Sequence, residues 1–197
     1  MSHRIREAFR NGNGGPLGGG GSIVEADETF YGKIPGRDSK RGYGDHKYKI
    51  VSLVSRKGET RSFHIANVDG KTLKPILQAQ IAKDSRLFTD SASHYRNIPK
   101  GTFSAHETVN HTQKEYVRGE VHTNTVEGYF GLLKRGLFGT YHHVSEAHLQ
   151  RYVTEFDFRF THRTSQGVTD AERTKAALKQ IPGKRLTLRR IIARPQA

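Results

Sequence analysis

Residues 122–137, HTNTVEGYFGLLKRGL, have the pattern of an amphipathic helix with two unlike faces. The apolar positions recur at helical spacing and form one stripe, made of Val126, Phe130, Leu133 and Leu137. At about 100° per residue, a separate face collects Asn124, Glu127, Gly131 and Lys134. The apolar stripe has to be buried against another element. The other face is either solvated surface or the wall of a functional site, and the helix alone does not decide between them.

Hydrophobic patterns along the rest of the chain predict an α/β fold. Extended segments are predicted at 22–32, 48–56, 59–68, 85–92 and 103–111, with a hairpin turn at Lys57 and Gly58. Helices are predicted at 2–10, 71–83, 122–136 and 146–160, with a helical fragment at 94–98 and a short helix near 170–180. Three consecutive strands followed by alternating helices and strands predict a mixed sheet with helices on its faces.

The charge balance indicates the kind of partner. The chain has 33 Lys and Arg against 19 Asp and Glu, a formal net charge of +14, which favours a polyanion such as nucleic acid. The alternative is a basic protein that binds nucleic acid only incidentally. Because the chain has no cysteine, disulfides, thiolate metal sites and cysteine nucleophiles are excluded. No apolar run approaches the roughly 20 residues of a membrane span, so we expect a cytoplasmic, nucleoid-associated protein.

Composition divides the chain into three parts. Residues 1–21 contain a short helix remnant and the Gly-rich run NGNGGPLGGGG, which is typical of a flexible linker or a disordered tail. Residues 22–163 carry the predicted strands and the amphipathic helices. Residues 164–197 form a polar, basic C-terminal tail. We therefore expect one folded domain at 22–163 between two appendages.

Acidic residues are scarce, so the positions of a few of them are informative. Asp27 lies inside the apolar-flanked strand IVEADETF, where a charge is costly to bury unless it is paired or binds metal. Asp90 ends the strand RLFTD, a usual place for a site residue. With Glu127 on the helix, these carboxylates have the chemistry that two-metal phosphoryl transfer by Mg²⁺ requires. The residues alone also allow an edge-strand charge, a turn cap and a solvated helix residue.

Three longer stretches resemble one family: VEADETFYGK, LFTDSASHY and HTNTVEGYFGLLKRGLFGTYHHVSEAHLQRYVTEFDFRFTHR. Over roughly residues 22–163 they resemble the catalytic domain of DDE-type insertion-sequence transposases, in the ISXO-like branch. The resemblance implies a ribonuclease H-like mixed sheet, in which a three-strand meander is followed by alternating helices and strands. It also implies DNA strand cleavage and strand transfer with Mg²⁺ or Mn²⁺, as two ions.

By motif position, the resemblance implies that Asp27 and Asp90 are catalytic metal ligands. The third position of this branch falls on the HTN-x-x-E helix and matches either Asn124 or Glu127. Chemistry favours Glu127 as the metal-binding carboxylate, with Asn124 as a ligand or a substrate contact.

The same resemblance implies that double-stranded DNA is the partner, both as element ends and as target, and that the protein acts as a homo-oligomer on DNA. Lys134 lies seven residues after Glu127 on the same face, where DDE enzymes place a basic residue against the DNA end. Arg135, His122 and Lys47 are further expected DNA contacts.

Full members of this branch also carry an N-terminal zinc-ribbon and helix-turn-helix region that recognises the element ends. The segment SHRIREAF resembles only the end of that region, so we expect a catalytic domain without end recognition. Two alternatives remain open: a non-catalytic DNA-binding remnant that inhibits an intact transposase, and a ribonuclease H-like nuclease that cuts RNA–DNA hybrids.

Overall fold

The computed structural model describes residues 2–9, 14–38, 44–96 and 98–184. The strands in these ranges are β1 (Ile23–Tyr31), β2 (Tyr48–Ser55), β3 (Thr60–Ile65), β4 (Arg86–Asp90) and β5 (Ala105–Val109). The helices are α1 (Ser2–Ala8), α2 (Gly70–Gln80), α3 (Asn124–Lys134), α4 (Glu146–Thr161) and α5 (Asp170–Lys179). A π-helical turn, Arg135–Thr140, continues α3, and His111–Gln113 and Thr164–Gln166 are single 3₁₀ turns.

The strands form one mixed sheet in the order β3-β2-β1-β4-β5. β1, β2 and β3 pair antiparallel as a meander, whereas β4 pairs parallel with both β1 and β5. The predicted mixed sheet and its opening hairpin are therefore confirmed. β2 is buried along its whole length because helices cover both faces of the sheet at this point.

Two apolar layers hold the helices on the sheet. On one face, α2 packs Leu73 and Leu77 against a cluster that includes Val51 and Leu53 of β2. On the other face, α3 and α4 pack against Ile50 and neighbouring strand residues. The predicted stripe of α3 is buried, as shown by Val126, Phe130, Leu133 and Leu137. Its other face, with Asn124, Glu127, Gly131 and Lys134, is exposed.

The outer edge of the sheet is closed by polar side chains of α4. The backbone N–H groups of Thr60, Ser62 and His64 in β3 would otherwise face outward without partners. They donate to Thr161 Oγ1 (3.1 Å), Asp157 Oδ2 (2.9 Å) and Gln150 Oε1 (2.7 Å) in that order. Asp157 is buried, and burial raises the pKa of its carboxyl to about 6. α4 is therefore tied to β3 by hydrogen bonds as well as by apolar contact.

The flexible-linker interpretation is wrong for residues 14–21. Leu17 is fully buried and is bonded between α2 and the loop that follows it, since its N–H donates to the Gln80 carbonyl (2.7 Å) and its carbonyl accepts from Ala82 (2.9 Å). Gly18 has a φ of +84°, and a Cβ at that position would lie 2.3 Å from Ser85 Oγ. Glycine at this position therefore permits close packing. Residues 11–13 lie outside the described residues.

The structure also tests the two shorter predicted helices. The predicted helical fragment at 94–98 is a turn over residues 93–96, and residue 97 lies outside the described part of the chain. The short helix near 170–180 is confirmed as α5, whereas residues 185–197 of the predicted tail are not described. The domain boundaries themselves stay a prediction. None of the described helices has the length and apolarity needed to cross a membrane.

Candidate active site

β1 and β4 place two of the predicted carboxylates side by side. The strands run parallel, and their last registered pair is Glu25 with Phe88. Asp27 and Asp90 each lie two residues beyond that pair. Because side chains alternate along a strand, both carboxylates point to the face of the sheet on which α3 lies. Glu127 lies in the first turn of α3, over the same part of the sheet.

The carboxyl of Asp27 is largely buried beside other carboxylates and has no cationic partner among the described side chains. Burial raises the pKa of its carboxyl from 3.8 to about 8, with added repulsion from nearby carboxylates, namely Glu28, Asp90 and Glu127. The backbone N–H of Glu28 donates to Asp27 Oδ1 (2.8 Å), which opposes the shift. Within the described residues, no Lys, Arg or His forms an ion pair with Asp27.

Asp90 lies in a milder version of the same environment. Burial raises the pKa of its carboxyl, and the charge of Glu28 raises it further. The backbone N–H of Ala92 donates to Asp90 Oδ1 (3.0 Å), and the nearby His94 and His111 oppose the shift. The charges of the two aspartates therefore interact, and neither forms an ion pair with a described Lys, Arg or His.

Glu25 anchors α3 to the strand that carries Asp27. Its carboxylate is fully buried and accepts from the backbone N–H groups of Thr125 (2.8 Å) and Val126 (3.1 Å), and from Thr125 Oγ1 (2.9 Å). Thr123, the residue before α3, makes no side-chain capping bond to the helix. Glu25 supplies that cap from another element, and its negative charge suits the positive end of the helix dipole.

Arg56 completes this anchor. Its Nε donates to Glu25 Oε1 (2.7 Å), and its Nη2 donates to the His122 carbonyl (3.2 Å) and lies 3.0 Å from His122 Nδ1. The segment that leads into α3 is therefore fixed by one buried ion pair. His122, predicted as a DNA contact, has its Nδ1 engaged in this network.

Glu127 projects from the anchored helix toward β5. Thr123 Oγ1 donates to Glu127 Oε1 (3.0 Å), and His111 Nε2 lies 3.5 Å from the same oxygen. His111 follows β5, so the turn after β5 and the first turn of α3 come together at Glu127. Asn124 is exposed at the start of α3, and its N–H donates to His122 Nδ1 (3.3 Å).

The third carboxylate of β1, Glu28, was not predicted as a site residue. Glu28 Oε2 accepts from Tyr95 Oη (3.0 Å) and lies 3.2 Å from His94 Nε2. Burial lowers the pKa of His94, but its hydrogen bond and charge interaction with Glu28 outweigh this and leave the pKa raised. Glu28 thereby adds negative charge beside both aspartates while its own carboxylate has local donors.

The predicted DNA contacts differ in accessibility. Lys134 and Arg135 are exposed at the end of α3, and seven residues of helix place Lys134 roughly 10 Å from Glu127 on the same face. Lys47 is half-buried beside the start of β2. Lys134 and Arg135 thus extend the exposed face of α3, whereas His122 and Lys47 are more enclosed.

The side chains are not assembled as a ready coordination shell. In the described part of the chain, no group of three or more His, Asp or Glu side chains is placed so that it could hold a metal ion. The donor set that the sequence predicts, Asp27, Asp90 and Glu127, nevertheless consists of hard oxygen ligands of the kind that Mg²⁺ and Mn²⁺ prefer. Asp27, which has no cationic partner among the described side chains, is suited to binding a cation.

The anchor predicts the effect of a single substitution. Glu25→Gln keeps the side-chain volume but removes the partner of Arg56 and one acceptor of the α3 N–H groups. We expect it to lower the free energy of unfolding by about 3 kcal/mol and to speed hydrogen exchange at Thr125 and Val126. Chemical denaturation and amide exchange measured by NMR would show both effects.

Glu107→Gln is the matched control, because Glu107 pairs with Arg86 at 2.8 Å but is about one-third exposed. This change should cost about 1 kcal/mol or less. Equal losses in the two variants, or unchanged exchange at Thr125 and Val126, would contradict the anchoring role of Glu25.

Comparison with known families agrees with the α/β fold. A family model described as the ISXO2-like transposase domain matches residues 16–161, which covers more than half of the chain and includes β1 to β5 and α2 to α4. No curated protein and no solved structure gives a significant match. With its five-strand mixed sheet in the order β3-β2-β1-β4-β5, the chain belongs to the ISXO2-like transposase family and has a ribonuclease H-like fold.

Proposed function

We propose that this transposase domain cuts and joins DNA strands with divalent metal ions held by Asp27, Asp90 and Glu127. The observation that carries the proposal is the state of Asp27. Its carboxyl is largely buried among other carboxylates, with its pKa raised to about 8 and no cationic partner among the described side chains. Such an arrangement costs stability, and it is typical of sites whose charge is balanced by a ligand.

Mg²⁺ or Mn²⁺, bound as a pair, would activate the attacking oxygen and stabilise the leaving oxygen of an in-line phosphoryl transfer. The charges of both Asp90 and Glu127 act on the carboxyl of Asp27, which favours Asp27 as the ligand shared by both ions. Asp90 and Glu127 would each hold one ion. Mutual repulsion disfavours bringing these carboxylates together without a cation, in line with the absence of a ready coordination shell in the described residues.

The reaction has two chemical steps. Water first attacks a phosphodiester at the element end, breaks the P–O3′ bond and leaves a free 3′-hydroxyl. That hydroxyl then attacks a phosphodiester of target DNA, so that one bond forms for each bond broken. Lys134 and Arg135 would balance the charge of DNA phosphates, while the three carboxylates would hold the ions against which the scissile phosphate is oriented.

The exposed face of α3 suits the DNA partner. Lys134 and Arg135 extend this face beyond Glu127 and would contact phosphates, while the net charge of +14 supports salt-sensitive binding along the duplex. His122 and Lys47 stay candidates for DNA contact from more enclosed positions. A homo-oligomer on DNA would allow paired element ends to be processed together.

Charge supports Glu127 over Asn124 as the third ligand. The charge of Glu127 contributes to the raised pKa of Asp27, which supports assigning both carboxylates to one site. Asn124 is uncharged and exposed one turn earlier, where its amide suits a contact with substrate. Both side chains share the face of α3 that continues to Lys134.

Nicking of supercoiled plasmid DNA in Mg²⁺ tests the assignment. We expect Asp90→Asn and Glu127→Gln to lower the nicking rate about 100-fold or more, because several kcal/mol of charge stabilisation are lost. Asn124→Ala should lose less than Glu127→Gln. Asp170→Asn, an exposed change on α5, is the control and should nick like the unaltered chain.

Full nicking by Asp90→Asn would refute the site. Salt-sensitive DNA binding without nicking by the unaltered chain would instead support the non-catalytic DNA-binding alternative.

The raised pKa of Asp27 predicts a second outcome that does not depend on activity. Its folded-state pKa of about 8 exceeds the ordinary 3.8, so the folded state holds a proton that the unfolded state releases. Metal-free stability should therefore fall as pH rises from about 4 to about 8. Asp27→Asn mimics the protonated form, and we expect it to be more stable than the unaltered chain at pH 8 by on the order of 2 kcal/mol.

Urea denaturation in a chelator at pH 5 and pH 8 measures this difference. The stabilisation by Asp27→Asn should be smaller at pH 5, and saturating Mg²⁺ at pH 8 should reverse the order of the two proteins. Parallel stability curves for the two proteins across this pH range would show that Asp27 carries no such charge.

A further inference from the structure

We infer that the cleft beside Asp90 is a nucleotide-binding subsite, in which Tyr116 stacks on an unpaired DNA base next to the scissile phosphate. The inference rests on the proposed function for the identity of the scissile phosphate. It adds a binding position for one nucleotide and a specific requirement, namely that the nucleotide be unpaired.

The Asp90 cleft is an open cavity of about 450 Å³ between the segment after β4 and the turn after β5. Its walls come from residues 90–93 with Arg96 on one side, and from residues 110–113 on the other. β4 and β5 are adjacent parallel strands, and the crevice at their carboxyl ends is where α/β sheets bind ligands. The volume is in the usual range of about 300–1,000 Å³ for small-ligand sites.

The chemistry of the lining suits a sugar–phosphate unit. Hydroxyl and amide groups dominate the walls, through Ser91, Ser93, Asn110 and Gln113. Arg96 is exposed at the cleft, and its side chain has no ion pair with another described residue. Asp90 is the one carboxylate among the described residues that line the cleft, and in the proposed function its charge is balanced by metal.

An exposed aromatic ring stands beside this cleft. The Tyr116 side chain is 57% exposed, and its ring centroid lies 5.3 Å from that of His111, which lines the cleft. His111 in turn lies 3.5 Å from Glu127 Oε1. A base that stacks on Tyr116 would therefore lie near two proposed metal ligands. These are Glu127, which contacts His111, and Asp90, which lines the same cleft as His111.

The charges around Tyr116 do not oppose DNA. Its neighbour Glu115 forms an ion pair with Arg118 (3.3 Å), and its other carboxylate oxygen accepts from the Asn110 backbone (3.2 Å). Aromatic side chains bind unpaired bases by stacking on a π-face. Inside an intact duplex both faces of each base are covered by its neighbours, and only the outer face of a terminal pair is exposed. The cleft should consequently favour DNA whose end is opened over DNA that is fully paired.

Fluorescence anisotropy with two labelled DNAs tests the inference. One is a blunt duplex, and the other is the same duplex with a forked end of unpaired nucleotides. Binding is measured in Ca²⁺ in place of Mg²⁺. We expect the unaltered chain to bind forked DNA about tenfold more tightly than blunt DNA, and Tyr116→Ala to lose this preference.

Tyr116→Phe should retain the preference, because the stacking ring remains. Val117→Ala is the matched control, since Val117 is 53% exposed and adjacent in the same loop, and it should also retain the preference. Arg96→Gln should lower the slope of log affinity against log salt for forked DNA by roughly 0.7, the value for one lost phosphate contact with a single strand.

An unchanged forked-end preference in Tyr116→Ala would overturn the inference, and so would equal losses in Tyr116→Ala and Val117→Ala. A chain without any forked-end preference would overturn it as well. Plasmid nicking in Mg²⁺ is measured separately, because its absence argues against the proposed function. Forked-end binding through Tyr116 without nicking would show that the subsite exists without the cleavage activity.

Discussion

The buried carboxylate of Glu25 joins two parts of the candidate site that lie a hundred residues apart in the chain. On β1 it stands two residues before Asp27, and through the N–H groups of Thr125 and Val126 it holds the first turn of α3, where Glu127 lies. Arg56 neutralises it from β2's end. Without this bond, apolar packing and the Tyr129 hydroxyl, which donates to Asp157 Oδ1 (2.6 Å), would still hold α3 on the sheet, but the first turn of α3, where Glu127 lies, would lose its hydrogen bonds to β1.

Glu25 and Asp27 lie on one face of one strand and illustrate two fates of a buried charge. Glu25 has an arginine and three further hydrogen-bond donors that compensate its buried charge, so removing that charge alone would leave these groups without their partner. Asp27 has one backbone donor and carboxylates for neighbours, so burial raises its pKa to about 8. Glu25 therefore helps to hold α3 over the part of β1 where Asp27 is buried unfavourably. In a chain of net charge +14, this local group of carboxylates is the feature that supports the proposed cation site.

The sequence predicts the elements well because periodicity reports local burial. The α3 stripe, the hairpin and the strands that carry Asp27 and Asp90 all follow from it. It does not predict which distant groups meet. Glu25 and Asp27 lie two residues apart on the same strand, so local sequence does not distinguish their roles. The partners of Glu25 in α3 are a hundred residues away and are identified only by the three-dimensional structure. His111 and Glu28 lie near the predicted carboxylates for the same reason. Leu17 shows that part of a Gly-rich run can pack closely, where Gly18 fits against Ser85.

The central claim is that Asp27, Asp90 and Glu127 share divalent metal ions. Crystals of the unaltered protein grown with Mn²⁺ and measured at the manganese absorption edge test it most directly. We predict anomalous density within about 2.5 Å of Asp27 oxygens, shared with Asp90 and Glu127, with α3 still bonded to Glu25. Manganese bound elsewhere, for instance at Glu28 and His94, with Asp27 left without an ion, would contradict it.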